Sequence, residues 1–491
     1  MLPVACRSLS RIRDAVAGGV LAVVVLSAVT ARGAASAPAP EPAPGPLPVA
    51  ASAPRASAPP ASSSTRVDDW SEDLAVVRDV FLPRDRSYQA PARRAALGRL
   101  EQLRGRLGEL DDVEIAAELA RIAALSANAH TRVYLLRNRG HWRRYPLRLW
   151  RFDDGWRVVA AQGAAETLLG GRVTHVAGRP VEEIFAALRP LFAGNESWAR
   201  YMGSYTLTSA DALHAAALVD LGGSAEFRVE AQGGVTSLIV APSAFERREG
   251  AEESWWYLSP ARANGPAWRY AIAAAPLPDW LAGAAADYRF ARCAGDVIYV
   301  QFNRAVDTPG GETIAAWGAR LLAEIERRPP RRLLFDLRFN TGGDLTRARP
   351  LVEALAASAL GSVPGGLVVL SGESTFSAGI TPLAVLRGTS RAIVVGRRPG
   401  DGTDFWAEGG NLVLPHSRLV VHYADGLHSY SGRARAAGLE QRVDLGLEVA
   451  DLEPDLPVRS TWRDYASGRD ADVEAVLGAP LRCEGAAAAG R

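Results

Sequence analysis

Ser377 is the residue of this sequence best placed to act as a nucleophile. It follows the apolar run LVVLS and the small polar turn GESTF, and it begins the helical pattern SAGITPLAVLRG. A serine between a buried strand and a helix has an exposed hydroxyl, and its backbone N–H lies at the positive end of the helix dipole. A helix N-cap serine would occupy the same kind of position. The pattern therefore predicts either a nucleophile or a cap.

A second segment, NTGGD, also follows an apolar run and contains Gly342 and Gly343. Paired glycines after a strand allow the backbone to approach a ligand closely and to present its N–H groups. One of these N–H groups, together with that of Ala378, would form an oxyanion hole, which stabilises the tetrahedral intermediate of acyl transfer. An ordinary structural turn is the alternative for this segment.

Both segments lie in a region where strands and helices alternate. From Asp296 onward the sequence reads as strand DVIYVQFN, helix GETIAAWGARLLAEIERR, strand RLLFDLRFN, helix DLTRARPLVEALAASA, strand GGLVVLSG, helix SAGITPLAVLRG and strand RAIVVG. This alternation predicts an α/β fold with a parallel sheet covered by helices. The active site of such a sheet lies beyond the carboxyl ends of its strands, and NTGGD and SGESTFSAG both occur there.

The region before this sheet has a different pattern. Apolar residues recur at helical spacing from Asp68 to about Ala127, and strands are predicted at Val133–Leu136 and Leu147–Phe152. The segment GGRVTHVAGRPVEEIFAALRP indicates a strand, a turn and then an amphipathic helix from Val181. Residues 246–290 are rich in Trp, Pro and Ala, and their pattern predicts no element.

The first residues predict export. Three arginines precede an apolar run from Val16 to Val29, and small residues at 34–37 offer a cleavage site. An uncleaved membrane anchor is the alternative. Residues 38–64 are almost entirely Ala, Pro and Ser, a composition typical of an extended linker.

The cysteines and the net charge bear on three features: a disulfide, a zinc site and a nucleic-acid partner. Cys6 lies in the signal, so Cys293 and Cys483 remain, either as a disulfide in an oxidising compartment or as two buried thiols. No Cys/His spacing suggests zinc. The formal net charge of the 491 residues is +2, which gives no indication of a nucleic-acid partner.

Several segments, in order, resemble the C-terminal-processing (tail-specific) and tricorn serine peptidases. LLFDLRFNTGGD is similar to the family's DLR-x-N-x-GG segment, and LVVLSGESTFSAGITPLAVLRG is similar to its nucleophile segment. NLVLPHSRLVVHYADG, LEPDLPVRSTWRDYASGRDADVEAVL and IAALSANAHTRVYL resemble further segments of one secreted bacterial branch, and LLGGRVTHVAGRPVEEIFAAL resembles its PDZ-like module. The resemblance covers most of the chain from about Val113 and implies a catalytic core of the ClpP/crotonase-like type.

The resemblance also implies a catalytic set. One branch of the family pairs its serine with a lysine, and this sequence contains no lysine. The other branch uses a distant histidine and a glutamate. The histidine corresponds to His130 in NAHT, and the glutamate corresponds to Glu448 in GLEVADLEPD, with Glu408 as the alternative acid. Histidine is the natural base for a serine hydroxyl at neutral pH. The resemblance implies an exported enzyme that hydrolyses peptide bonds of protein or peptide substrates without a metal or organic cofactor. In this enzyme Ser377, His130 and Glu448 would be catalytic. The oxyanion hole would be formed by Gly342, Gly343 and Ala378.

Two alternatives belong to other classes. An α/β-hydrolase-like esterase would use Ser377 with an acid, Asp404 or Asp425, followed by His428, because these residues occur in hydrolase order. An inactive relative would bind peptides or cell-wall material through its PDZ-like module. Two departures from the family pattern lie near the site: Asn128 stands where the family often has aspartate, and VVGRRPGDGTDFW lacks the usual G-E-P-T-x-G stretch.

These inferences divide the chain into seven parts. The expected parts are a signal peptide (1–37), a linker (38–66), a helical subdomain with His130 (67–155), a PDZ-like module (156–245), a connecting segment (246–290), a peptidase core (291–480) and a tail (481–491). After removal of the signal we expect no membrane association and a periplasmic or extracellular location.

Overall fold

The computed structural model describes residues 65–137, 140–231, 233–243, 253–262, 265, 267–272 and 276–483. The predicted signal peptide, nearly all of the predicted linker and residues 484–491 of the predicted tail lie outside the described residues. The described residues, which lie between 65 and 483, belong to one compact unit. Within the described ranges, no helix combines the length and the apolar character needed to cross a membrane.

Helices form the first described region, as the spacing of its apolar residues predicts. Thr65 with Asp68, and Asp111 with Glu114, form capping boxes that satisfy backbone N–H groups at the starts of two of these helices. The elements are α1 Arg66–Val76, a π-helical turn Val77–Phe81, α2 Leu82–Arg84, α3 Ala90–Arg104, α4 Asp112–Ala124 and the short strand β1 Arg132–Val133. The strand predicted at Val133–Leu136 is thus shorter and begins one residue earlier.

A seven-stranded sheet follows, with its main strands in the order β2-β3-β4-β6-β7. The predicted strand and helix in GGRVTHVAGRPVEEIFAALRP are confirmed as β4 and α5, and the predicted turn lies at residues 177–178, followed by the two-residue strand β5. The elements of this region are β2 Leu147–Phe152, β3 Gly155–Ala161, β4 Arg172–Val176, β5 Arg179–Pro180, α5 Val181–Leu188, α6 Glu196–Thr206, α7 Ala210–Ala215, β6 Ala225–Ala231, β7 Gly234–Val240 and β8 Arg269–Tyr270, with 3-10 turns at Gly163–Leu168, Arg189–Leu191 and Ser254–Leu258. Assignment of this region as a PDZ-like module stays a prediction.

The remaining elements form the parallel sheet and its surroundings. They are α8 Asp279–Ala282, a 3-10 turn Gly283–Ala285, β9 Tyr288–Cys293, β10 Val297–Phe302, α9 Ile314–Arg327, β11 Arg332–Asp336, α10 Leu345–Ala357, α11 Ala359–Ser362, β12 Leu367–Ser371, a 3-10 turn Ser377–Gly379, α12 Ile380–Thr389, β13 Ile393–Gly396, β14 Asp404–Ala407, β15 Gly410–Val413, β16 Val420–Tyr423, β17 Gly426–Ser429, α13 Arg433–Ala436, β18 Val443–Asp444, β19 Leu456–Pro457, α14 Trp462–Ala466 and α15 Ala471–Leu477.

The six-stranded sheet has the order β19-β13-β12-β11-β10-β9, and every pair is parallel except β9 with β10. Alternate strand residues face opposite sides. Ile298 and Val300 pack in one core cluster with residues of α9, α10 and α12, and Tyr299 and Leu334 pack in another with Val473 of α15. The predicted α/β core is confirmed, whereas its assignment to the ClpP/crotonase-like type stays a prediction.

Two smaller sheets join distant parts of the chain. One has the order β1-β16-β15, and β1 pairs with β16 in an antiparallel register that matches Arg132 with His422. The other has the order β14-β17-β18. The pairing of β1 with β16 joins the segment that contains His130 to a strand that follows the parallel sheet in the sequence.

Cys293 and Cys483 form a disulfide. Cys293 at the end of β9 is bonded to Cys483, which lies 190 residues later in the chain. The disulfide alternative of the sequence analysis is therefore the one observed, and it attaches the C-terminal segment to the edge strand of the core.

Candidate active site

Ser377 lies at the sharp turn between β12 and α12. Its φ is 55°, a left-handed conformation that is strained for a residue with a side chain and is often found at functional sites. Thr375 supports this turn, because its hydroxyl donates to the carbonyl of Leu337 (2.8 Å) and accepts from the N–H of Gly372 (3.0 Å). Ser377 itself is partly exposed among buried neighbours.

The NTGG loop lies directly against this turn. Gly342 has a φ of +117°, and a Cβ there would lie 2.8 Å from Ser377 Cβ, 3.1 Å from Ser377 Oγ and 3.4 Å from the backbone nitrogen of Ala378. Only glycine fits this space. Asn340 fastens the two segments together, because its carbonyl accepts the N–H of Phe376 at 2.9 Å and its side-chain oxygen accepts the N–H of Gly342 at 3.0 Å.

The three residues expected at the oxyanion hole differ in whether their backbone N–H groups are free to bind an oxyanion. The N–H of Gly342 is already bound by Asn340, so Gly342 acts as a spacer. Gly343 forms a parallel bridge with Ala305, in which the carbonyl of Gly342 and the N–H of Asp344 make the hydrogen bonds. The N–H of Gly343 therefore faces away from Ala305. Ala378 is the second residue of a helical turn, where backbone N–H groups lack helical acceptors.

His130 is brought to this turn by buried polar contacts. Asp85 is fully buried, and its carboxylate accepts the hydroxyl of Thr131 (2.6 Å) and the N–H of Ala424 (2.9 Å). Asn128 donates from its side-chain amide to the Thr131 hydroxyl at 3.1 Å. Asn128, one of the two departures from the family pattern, thus serves to fix the loop beside His130.

The imidazole of His130 lies between two aromatic rings. Its ring centroid is 4.5 Å from that of Phe376, the residue before Ser377, and 5.3 Å from that of Phe405, and both pairs are stacked. Neither ring nitrogen has a hydrogen-bond partner among the described residues. Burial lowers the pKa of His130 well below its ordinary value, and the positive charge of Arg132 lowers it further. The imidazole is therefore neutral at neutral pH, as a general base must be.

Asp401 is the carboxylate that lies beside His130. Its Oδ2 is 3.6 Å from His130 Nδ1, and its side chain is only 11% exposed. Burial raises the pKa of Asp401 to about 8, although backbone N–H groups of Gly402 and Ser377 donate to the carboxylate and oppose this rise. Asp401 thus contacts both the histidine and the backbone of the serine.

The sequence analysis missed Asp401. It lies in the loop after β13, at the carboxyl end of the strand next to β12, and within the GRRPGDG stretch that departs from the family pattern. Its position after a parallel strand is the signal that could have identified it.

The structure does not bring the predicted acids to His130. Glu448 is 81% exposed and pairs with Arg435 at 3.5 Å. Glu408 accepts from His428 Nε2 at 2.6 Å. The catalytic role assigned to Glu448 remains a sequence-based prediction that no contact among the described residues supports.

His428, the base of the esterase alternative, is engaged elsewhere. One ring nitrogen is bound to Glu408, and the other lies 3.5 Å from the hydroxyl of Tyr430. The ring of Phe405 stacks with His130 at 5.3 Å and packs against His428 at 4.9 Å. Asp404 is bound to Ser429, Ser431 and Arg433. These contacts do not assemble the esterase set.

One group in the described chain has the side chains of a metal site. The ligand atoms of Asp111, Glu114 and His214 lie within 4.8 Å of one another. Asp111 and Glu114 already cap α4, and His214 Nε2 lies 2.6 Å from Asp111 Oδ2. These contacts account for the group as a helix cap.

Comparison with solved structures identifies the fold. Mature CPAF superposes with a TM-score of 0.54 at 12% identity, over 84% of this chain and 95% of that one. Mature CPAF complexed with lactacystin gives a TM-score of 0.52 at 12% identity, over 84% and 97% of the two chains. Tricorn protease matches at 13% identity over 84% of this chain and 36% of that chain, with a TM-score of 0.34.

The chain has the fold of mature CPAF. The resemblance to the C-terminal-processing and tricorn peptidases that the sequence motifs indicate is confirmed at the level of the fold. No protein-family model matches the chain, and no curated protein matches it.

Proposed function

We propose that this protein is a serine peptidase that hydrolyses peptide bonds through an acyl-enzyme on Ser377. The observation that carries the proposal is the left-handed Ser377 at the end of a buried strand, with Gly342 packed against its side chain and His130 stacked on the preceding Phe376. The CPAF-like fold supports the same activity. The substrates would be proteins or peptides.

The residues of the site divide the chemistry as follows. Ser377 Oγ attacks the carbonyl carbon, and His130 Nε2 accepts the hydroxyl proton and later gives it to the leaving amine. The N–H groups of Gly343 and Ala378 bind the oxyanion. Hydrogen bonds between base and nucleophile often form only in the substrate complex, so the unbonded His130 nitrogens are compatible with this role.

We propose Asp401 as the acid that positions His130, in the role that the sequence analysis assigned to Glu448. An ionised Asp401 would accept the proton on His130 Nδ1 and leave Nε2 unprotonated toward Ser377. The 3.6 Å separation of Asp401 from His130 supports this choice, as does the exposure of Glu448.

The test combines a covalent probe with a matched pair of histidine variants. A fluorophosphonate should label Ser377, as mapped by mass spectrometry of the digested protein. His130→Ala should lower labelling and casein hydrolysis by orders of magnitude, whereas His428→Ala should retain activity within a few-fold.

Circular dichroism must show that both variants fold. A wild-type protein that the probe leaves unlabelled would favour the inactive peptide-binding alternative. Loss of activity in His428→Ala with normal activity in folded His130→Ala would favour the esterase reading.

We also propose export to an oxidising compartment. The apolar run Val16–Val29 with its preceding arginines supports it, as does the bond between Cys293 and Cys483, because disulfides persist outside the reducing cytosol. The mature chain should begin between Ala34 and Ala39. N-terminal sequencing of exported protein tests this expectation, and recovery only of cytosolic protein that starts at Met1 would contradict it.

A further inference from the structure

An apolar cleft lies beside the candidate active site. Its walls come from the segment after His130 and from the segment that leads into α6 and through it, and they include Val133, Leu135, Phe192, Ala193, Trp198 and Met202. The space is about 590 Å³, part of which is open to solvent. Such concave apolar surfaces are where proteins bind apolar groups.

The cleft is continuous with the residues of the site. Ala129, which precedes His130, forms part of its wall. Trp198 also lines it and stacks on Phe376, with ring centroids 3.9 Å apart, and Phe376 in turn precedes Ser377 and stacks on His130. A group bound against Trp198 would therefore be linked to Ser377 and His130 through the two stacked rings of Trp198 and Phe376.

The charges around the cleft select against cationic occupants. Arg137 is neutralised by the buried Glu253, which accepts its guanidinium through both carboxylate oxygens. Glu253 also accepts from Tyr201, so its charge is fully engaged. The other charged lining residue is Arg132, whose guanidinium lies 5.0 Å from the Tyr134 ring centroid. Among the described lining residues no acid is therefore available to a cationic side chain, and Arg132 would repel one.

We propose that this cleft is the specificity site of the enzyme and that it receives a large apolar side chain, such as Leu or Phe, from a residue flanking the scissile bond. This inference rests on the proposed peptidase function. Ala193 and Met202 would determine the size of side chain accepted, because they line the cleft without contributing to the aromatic stack around His130.

Binding can be measured separately from catalysis. In the Ser377→Ala protein, calorimetric titration with acetylated tripeptide amides that carry Leu, Ala or Arg at the central position should give the tightest binding for Leu. We expect Leu to exceed Ala by at least about tenfold, the usual discrimination of an apolar pocket. Ala193→Phe, which fills the cleft, should remove this preference. Ala357→Phe adds the same bulk at an exposed position of α10 and should keep it.

The corresponding activity measurement uses the chain with Ser377 intact. Digestion of a peptide library should show Leu, Phe or Met at one flanking position, and Ala193→Phe should shift that position to small residues. Ala357→Phe should keep both the wild-type preference and the labelling of Ser377 by a small fluorophosphonate within a few-fold of wild type. Should Ala193→Phe not fold, Met202→Ala enlarges the cleft and should shift the preference toward Phe and Trp.

Equal binding of the three tripeptides, or a Leu preference that survives Ala193→Phe, would overturn the cleft assignment. If either result were obtained while the wild-type protein was labelled at Ser377, the peptidase proposal would still stand. Conversely, an unlabelled Ser377 with Leu-selective binding would reject the peptidase and retain the cleft as an apolar peptide site.

Discussion

Activity should rise with pH through a value near 8, because Asp401 must lose a proton before the site can work. Burial raises the pKa of Asp401 to about 8 and holds the pKa of His130 well below its ordinary value. At pH 6 to 7 both groups are therefore neutral. A protonated Asp401 donates to His130 Nδ1 and leaves the imidazole proton on Nε2, which is the wrong tautomer to accept a proton from Ser377.

The size of the effect follows from the ionised fraction. For a single carboxyl with a pKa of about 8, about one tenth is ionised at pH 7 and about one hundredth at pH 6. The value of kcat/KM on a fluorogenic casein should therefore fall about tenfold for each pH unit below 8. Because the His130 pKa is lowered, protonation of the imidazole should not limit activity in this range.

Asp401→Asn is the matching perturbation. The amide cannot accept the Nδ1 proton as a carboxylate does, so we expect kcat/KM at pH 9 to fall on the order of 10³-fold to 10⁴-fold and the rise near pH 8 to disappear. A wild-type profile that is flat from pH 6 to 9 would refute the reasoning. So would an Asp401→Asn variant that keeps the same rising limb.

The same variant has a stability consequence of opposite sign. A carboxyl whose pKa is raised by folding binds its proton more tightly in the folded state, so stability is lost as pH rises from about 4 to about 8. Asn imitates the neutral acid. Asp401→Asn should therefore raise the free energy of unfolding at pH 9 by at most about 6 kcal/mol and change it little at pH 4, as measured by urea unfolding. Equal stability of the two proteins at pH 9 would show that Asp401 is not buried as a charge.

Three further predictions concern a close backbone contact, the disulfide and a buried group of charges. Gly342→Ala should abolish Ser377 labelling, because the new Cβ would lie 2.8 Å from Ser377 Cβ. Gly163→Ala is the control and should retain labelling, because Gly163 also has a positive φ but has open space around it. Equal labelling of the two variants would contradict the close approach of Gly342 to Ser377. Cys483→Ser should lower stability by up to about 5 kcal/mol in the chain-entropy model, because the bond closes a loop of 190 residues, and an unchanged melting temperature would show that the bond does not constrain the unfolded chain. Arg338→Ala should cost about 3–5 kcal/mol because it leaves Asp336, Asp470 and Asp472 buried without their shared cation, and a urea midpoint equal to wild type would refute that role.

Local patterns predicted the core well because their physical causes are local. The strands and helices from Asp296 onward are recognisable from alternating apolar runs and helical spacing, and each predicted element occurs in the structure. Ser377 and the NTGG loop could be placed together because parallel strands bring their carboxyl ends to one edge of the sheet. His130 could be named only through the resemblance to a family, since nothing in its own segment indicates which distant strand it meets.

What the sequence determined by itself was the parallel α/β core and the meeting of Ser377 with Gly342. Both follow from the alternation of strands with crossover helices, which brings the carboxyl ends of neighbouring parallel strands to one edge of the sheet. Only the tertiary structure decided the partners of His130. The pairing of β1 with β16 and the contacts of the buried Asp85 bring His130 to the loop that holds Asp401, 271 residues later in the chain (401 − 130). Such long-range contacts depend on the packing of whole elements, and burial then sets the charge of each group. For that reason Glu448, placed by motif, lies in solvent, while Asp401, in a loop without a recognised motif, lies beside the histidine.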